Sequence, residues 1–412
     1  MNPRSRHPHG AWAILLLLSV AELLGMSLWF TASATAPRLS ELWGLDAGQA
    51  GWLTTTVQLG FVAGTALAAL LNVADLLPSR RLFAGSALAA ALVNGALVVA
   101  PGYTAGLALR FLTGFFLAGV YPPAMKMAAT WFRSARGFAI GTIVGALTVG
   151  KALPYLVGAV GTPDHRVVIL TASGGALVAA LLVGLLYRDG PFPFPRRPFS
   201  WALVGTVLRH RPTRLAIAGY LGHMWELYAM WTLIAVFSYD FFLVRALTTV
   251  AAASRAGLLA FSVIAMGGVG SVLAGVWADR FGRERITIWS MAVSGACSLV
   301  VGWLIGGPLP LVVLLALVWG FAIVADSAQF SAVVTEVAPP HAVGTALTLQ
   351  TSLGFALTAG SIWLAVEISS RFGWGPAFSL LAIGPVLGIV AMVRLRRMRS
   401  EAVTEPLTAG NA

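Results

Sequence analysis

The sequence predicts an all-α integral membrane protein, with twelve transmembrane helices in two six-helix bundles related by a pseudo-two-fold axis along the membrane normal. Three observations predict it. The chain of 412 residues is 58% hydrophobic and only 10% charged, with a mean hydropathy of +0.84, whereas a soluble domain carries about 25% charged residues. Its apolar residues fall into twelve runs, each near the ~20 residues that cross a bilayer. One acidic pentad occurs twice, as Glu22-Leu23-Leu24-Gly25-Met26 and Glu226-Leu227-Tyr228-Ala229-Met230, 204 residues apart. A carboxylate inside a membrane span is costly and marks a functional position by default. Its repetition in both halves points to a duplicated transporter with its site at the seam.

Taken in order, the runs are 12–35, 50–73, 82–100, 104–127, 137–160 and 167–187, then 213–239, 255–278, 286–306, 309–332, 342–368 and 376–395. They set an N-terminal bundle over 1–187, a linker over 188–212 and a C-terminal bundle over 213–412. The prolines of the linker stop a span from continuing, and Ser200–Leu208 is expected as a short interfacial helix. A basic N-terminus (Arg4, Arg6) precedes the first run, but no small-residue cleavage site follows, so that run is read as a retained span. With both termini inside, twenty Lys and Arg fall on inner segments. Only Arg38, Arg166, Arg245, Arg255 and Arg371 fall on outer ones. This asymmetry fixes the orientation, with the termini in the cytoplasm and the protein in the inner or plasma membrane. The net charge of +12 then reflects loops facing an anionic leaflet rather than nucleic acid. The single cysteine, Cys297, excludes a disulfide framework and reads as a packing residue.

The repeat extends beyond the pentad. Asp75 and Asp279 follow the second span of each half, Arg81 and Arg285 come after them, and Gly150-Lys151-Ala152-Leu153 matches Gly354-Phe355-Ala356-Leu357, all at the same offset. Gly275 to Arg285 reads G-V-W-A-D-R-F-G-R-E-R, which closely resembles the loop signature of the major facilitator superfamily. The N-half copy, N-V-A-D-L-L-P-S-R-R from Asn72, is degenerate. Span 4 reads L-R-F-L-T-G-F-F-L-A-G from Leu109, similar to a second motif of that family. The resemblance implies alternating access around a midplane cavity lined by spans 1, 4, 7 and 10. It also implies an inner-face latch of Asp75, Arg81, Asp279, Arg280, Arg283 and Arg285. The plainer reading of these arginines is that they only enforce topology.

Several intramembrane residues can carry chemistry. Glu22 and Glu226 would face the cavity by the resemblance. A carboxylate withdrawn from water can load a proton near neutral pH, so both are candidates for proton coupling, as is Asp326 in span 10. Each could instead hold helices together. His223, three residues before Glu226 on the same face, can share a proton with it. Arg110 and Lys151 are the cations inside spans and are candidate anion-binding groups, with salt bridging as the alternative. Gln329 shares a face with Asp326, and Trp29 and Tyr228 can stack on an organic substrate. No cofactor or metal site is expected, and a monomer is.

The reading is a secondary transporter of a small organic solute, with an organic anion favoured and proton coupling expected. Proton-driven efflux of drugs or toxic compounds is the rival. The family's Gly-Pro step for antiporters is replaced in span 5 by G-K-A-L-P from Gly150, which weakens that rival. The resemblance also implies that a nitrate carrier would have an arginine in each of spans 2 and 8; span 2 has Gln58 and no arginine, and Arg255 is at the edge of span 8, which disfavours nitrate. A membrane enzyme lacks a clustered nucleophile, base or metal set. A non-transporting sensor is disfavoured by the short segment after Arg399.

Overall fold

The computed structural model describes residues 8–71, 73–132, 136–160, 164–192 and 199–408. Among them every regular element is helical. Eleven helices are long and apolar enough to cross a membrane, and a shorter apolar helix, Ala11–Met26, precedes them. Taking that helix as span 1, spans 2 to 6 are Gly48–Leu70, Ser79–Val99, Tyr103–Ala129, Gly137–Val160 and His165–Leu186. Spans 7 to 12 are Arg211–Leu243, Thr249–Phe281, Arg283–Leu304, Leu309–Val337, Pro340–Phe372 and Trp374–Glu401. The linker helix Trp201–Arg209 answers to the expected interfacial segment. It exposes Trp201, and the Ser200 amide donates to Thr345 Oγ1 at 3.0 Å.

The expectation of one continuous first span over 12–35 is corrected. The helix stops at Met26, the chain turns through Ser27–Phe30, and short helices Thr31–Ala34 and Ala36–Trp43 follow. A break at this depth frees backbone carbonyls where water cannot satisfy them, so another side chain must do so. That side chain is Arg110, described below. Spans 4 and 10 are interrupted too, at Ala118–Val120 and at Asp326.

The duplication is visible in the packing. Spans 1 and 6, 1 and 5, 2 and 4, 3 and 4, and 3 and 6 pack together in the first half. Their counterparts 7 and 12, 7 and 11, 8 and 10, 9 and 10, and 9 and 12 pack together in the second. Glycine makes the closest approaches. A Cβ at Gly64 or Gly114 would strike the carbonyls of Phe115 or Val57. A Cβ at Gly270 or Gly320 would strike those of Phe321 or Val263, each 206 residues further on. The repeat therefore slips by two residues in spans 2 and 4 relative to the pentad.

Two seams join the halves, spans 5 with 8 and spans 2 with 11. The first is glycine-lined. Gly137 faces Gly275, Gly141 faces Ser271, and a Cβ on Gly145 or Gly268 would stand 2.9 Å from the other's carbonyl oxygen. Small residues bring backbones together where hydrophobicity gives no driving force between helices. Gly145→Leu is expected to force this seam apart and to destabilise the protein by at least ~1–3 kcal/mol, read as a fall in Tm in detergent.

Candidate functional site

A cavity of about 660 Å³ lies between the halves. It reaches the face that carries the linker, where Ser79, Lys126, Phe199, Arg283 and Glu336 line it. At its inner end stand Trp29, Phe61, Lys151, Tyr228, Trp231 and Phe355. These rings close the path to the opposite face. Trp29 lies 5.6 Å from Tyr228 and 5.9 Å from Phe355, centroid to centroid, and Phe61 lies 4.6 Å from Phe355. Behind them Phe30 contacts Tyr155 and Trp231. Between the cage and the mouth, the walls are mostly methionine, threonine and small apolar side chains, including Met26, Met224, Thr148 and Thr348.

Lys151 is the centre of the inner end. Its ammonium donates to Tyr228 Oη at 2.6 Å. It also stands 3.9 Å from the Trp29 ring centroid, 4.7 Å from that of Tyr228 and 5.2 Å from that of Trp231. The side chain is 1% exposed, so rings and phenol replace its hydration shell. A desolvated cation–π contact of this kind is worth about 2 kcal/mol or more. Gly150 makes the position possible: a Cβ there would meet the Leu23 carbonyl, so span 5 lies directly on span 1 and sets Lys151 beside Glu22. Phe355, at the Lys151 position of the second half, occupies the same aromatic cluster.

The two pentad glutamates have diverged. Neither lines the cavity, so the expectation that both face it is corrected. Glu226 is buried within the second half. Its Oε1 accepts from Trp319 Nε1 at 2.7 Å and its Oε2 from Ser294 Oγ at 2.8 Å, tying span 7 to spans 9 and 10. Ala90 and Thr113 stand at the matching places of the first half, and the Thr113 hydroxyl donates back to the Leu109 carbonyl. Glu22 accordingly has no hydrogen-bond partner on either oxygen. Its electrostatic neighbours are Lys151 and Tyr121, both on the cavity wall.

His223 lines the cavity while Asp326 lies behind it. His223 Nδ1 is 2.8 Å from Asp326 Oδ1, and Nε2 is 3.0 Å from Ser327 Oγ. The partner of His223 is thus Asp326, from the break in span 10, rather than Glu226 one turn along its own helix. The imidazole links a buried carboxylate to the hydroxyl of Ser327, which also lines the cavity.

Arg110 does not line the cavity, and its expected place among the substrate ligands is corrected. Its guanidinium donates to the Leu28 carbonyl at 3.1 Å, to the Trp29 carbonyl and to Asn94 Oδ1 at 2.8 Å. Asn94 in turn donates to Ser173 Oγ at 3.0 Å. Arg110 thus satisfies the carbonyls freed where span 1 breaks and fixes the segment that carries Trp29. Of the remaining expected ligands, Trp29 and Tyr228 form the cage. Gln329 lines the cavity nearer its mouth, where its Oε1 accepts from Arg283 Nη1 at 2.7 Å.

The latch residues form a network within the second half. Arg283 donates to Glu336 at 2.7 Å and lies 3.8 Å from Asp279, while Arg399 bridges Glu336 and Glu284. The link to the other half is Asp279, whose carboxylate lies 3.3 Å from where a Cβ on Gly137 would stand, at the start of span 5. A helix N-terminus there favours a carboxylate. Arg280 lies over the Phe281 ring, and Arg81 and Arg285 are exposed. The side chain of Asp75 lies outside the described residues. Sequence reasoning counts Lys126 only among the inner-segment charges, whereas it lies on the helix Tyr121–Ala129 and lines the cavity. It also misses Trp319 and Ser294. A Trp and a Ser in apolar runs carry no signal until Glu226 is seen between them.

The family model described as Major Facilitator Superfamily matches residues 17–254 and 244–411. YgaY of Escherichia coli, an uncharacterized transporter in strains K12 and O157:H7, is 29% identical over 185 residues. That stretch is 43% of this chain and 45% of the relative, so the chain aligns with about half the length of the curated relatives it matches. A bacterial homolog of the human lysosomal transporter Spinster, solved inward-facing and occupied, superposes with a TM-score of 0.70 at 15% identity, over 94% of this chain and 97% of that one. The nucleoside transporter NupG superposes at 0.67 with 13% identity, over 93% and 98%. A point mutant of NupG gives 0.69 with 15% identity, over 93% and 99%. These likenesses establish the fold.

Proposed function

Because the chain belongs to the Major Facilitator Superfamily, and is thus an integral-membrane transporter of small molecules rather than an enzyme, we propose that it carries a small organic anion coupled to protons. It does so as a monomer in the inner or plasma membrane, with both termini in the cytoplasm and the cavity open inward. The observation that carries the anion is Lys151, an ammonium at the inner end of the cavity with only a phenol as hydrogen-bond partner. Around it, the indole N–H groups of Trp29 and Trp231 are buried without acceptors. A carboxylate reaching this end would find the ammonium, with the two indole N–H groups as further donors lacking partners, and the rings would cover an apolar body. Among the described residues, the acidic side chain on the cavity wall is Glu336, at the mouth and held by Arg283. A lipophilic cation would therefore meet no carboxylate in the cage, which disfavours cationic drug efflux.

Coupling is assigned to the His223–Asp326 pair, which reaches the cavity through His223 and Ser327, and to Glu22 beside Lys151. Glu226 is a structural acceptor. Asp326→Asn is expected to abolish accumulation driven by a pH gradient while sparing solute exchange at equal pH; Glu226→Gln is expected to spare both and lower Tm. The test of the reading itself is uptake by proteoliposomes. Labelled aliphatic and aromatic carboxylates should accumulate under a pH gradient, and lipophilic cations should not compete. Uptake of the cations without the carboxylates would overturn it.

A further inference from the structure

We infer that Lys151 exchanges partners as the halves rock: Tyr228 holds its ammonium in the state seen here, and Glu22 holds it in the opposite state. The inference rests on the transport reading but not on the identity of the solute.

The groups divide between the two halves. Lys151, Glu22 and Trp29 belong to the first half, and Tyr228 and Trp231 to the second. The contacts between Lys151 and the second half run through the aromatic closure at the inner end of the cavity. Opening the opposite face requires that closure to part, because Trp29, Phe30 and Phe61 on one side pack against Tyr228, Trp231 and Phe355 on the other. The ammonium then loses its hydrogen bond and two of its three rings. A buried ammonium with no partner is strongly disfavoured.

Glu22 is the group placed to receive it. Both its oxygens are buried and unpartnered, it travels with span 5, and the contact of Gly150 with the Leu23 carbonyl keeps the two side chains neighbours in either state. Tyr121 from span 4 also faces Glu22. It is a phenol and brings no competing charge. Glu226, the repeat-related carboxylate, has Trp319 and Ser294 instead and is not available. Tyr228 and Glu22 are therefore positioning residues with opposite effects on one equilibrium.

The experiment reads the separation of the outer ends in the full chain without solute. Spin labels are placed at Leu42→Cys and Phe372→Cys, both exposed on the face opposite the linker, in a Cys297→Ser background. Pulsed dipolar distances then give the ratio of long (outward-open) to short (inward-open) populations. A hydrogen bond to a charged group is worth about tenfold or more in such a ratio. Tyr228→Phe is expected to raise the ratio about tenfold, and Glu22→Gln to lower it. In Lys151→Gln, Tyr228→Phe is expected to have no further effect. An unchanged ratio in Tyr228→Phe, a shift of both variants in one direction, or a Tyr228→Phe effect that survives in Lys151→Gln would each overturn the inference. Because no solute is present, such a failure leaves the anion reading to its own uptake test.

Discussion

Lys151→Gln is expected to reduce carboxylate uptake into proteoliposomes on the order of a hundredfold, with the folded protein retained. The substitution leaves an uncharged polar head one bond shorter than lysine, and so removes both the charge and the contact that Tyr228 Oη makes with the ammonium at 2.6 Å in the wild type. Removing one partner of a desolvated charge pair costs about 3–5 kcal/mol, and each ~1.4 kcal/mol is a factor of ten in affinity. The loss should appear as weaker binding in a direct assay as well as slower uptake. Uptake within threefold of wild type would detach the substrate from this residue. Lys151→Arg is expected to recover little, because the larger planar guanidinium does not fit between three rings and its geometry differs from that of a point charge.

Arg110→Met is expected to lower stability rather than to change affinity selectively. The variant leaves the Leu28 and Trp29 carbonyls and Asn94 Oδ1 without their donor in a site where Arg110 is 0% exposed. Orphaned buried acceptors cost about 1–3 kcal/mol each. A total of a few kcal/mol lowers Tm by roughly 5–10 °C, measurable by fluorescence-detected thermal unfolding in detergent. Arg110→Lys should be nearly as unstable, since one ammonium cannot reach acceptors arranged for a planar fork. Normal Tm with lost anion binding in Arg110→Met would instead return Arg110 to the substrate. Weakened binding is also expected in the surviving protein, because the break in span 1 carries Trp29 into the cage.

The contrast between Arg110 and Lys151 shows where sequence reasoning stops. Both are intramembrane cations, and the sequence marks them alike because the cost of a charge in lipid does not depend on its partner. What separates them is that span 1 breaks at Ser27–Phe30, and nothing in that apolar stretch announces a break. The pentad glutamates diverge for a similar reason. Their sequence context is repeated, but the hydrogen-bond partners of Glu226 come from spans 9 and 10, and the residues at the matching places in spans 3 and 4 have changed. Helical spacing pairs His223 with Glu226 in expectation, and the structure pairs it with Asp326 across to span 10.

The membrane class, the spans after the first, the duplication and the family were legible in the sequence, because they follow from hydropathy, chain length and short motifs that act locally. The sequence also marked Lys151, Tyr228, Trp29, His223 and Asp326, because charged, polar and aromatic groups in an apolar run are conspicuous by cost alone. Which of them share the cavity, and which carbonyl, ring or carboxylate each one meets, is set by the packing of the helices. Those pairings join residues far apart in the chain, from Lys151 with Tyr228 to Glu226 with Trp319. They depend on helix breaks and glycine contacts of a few ångströms, which no local pattern encodes.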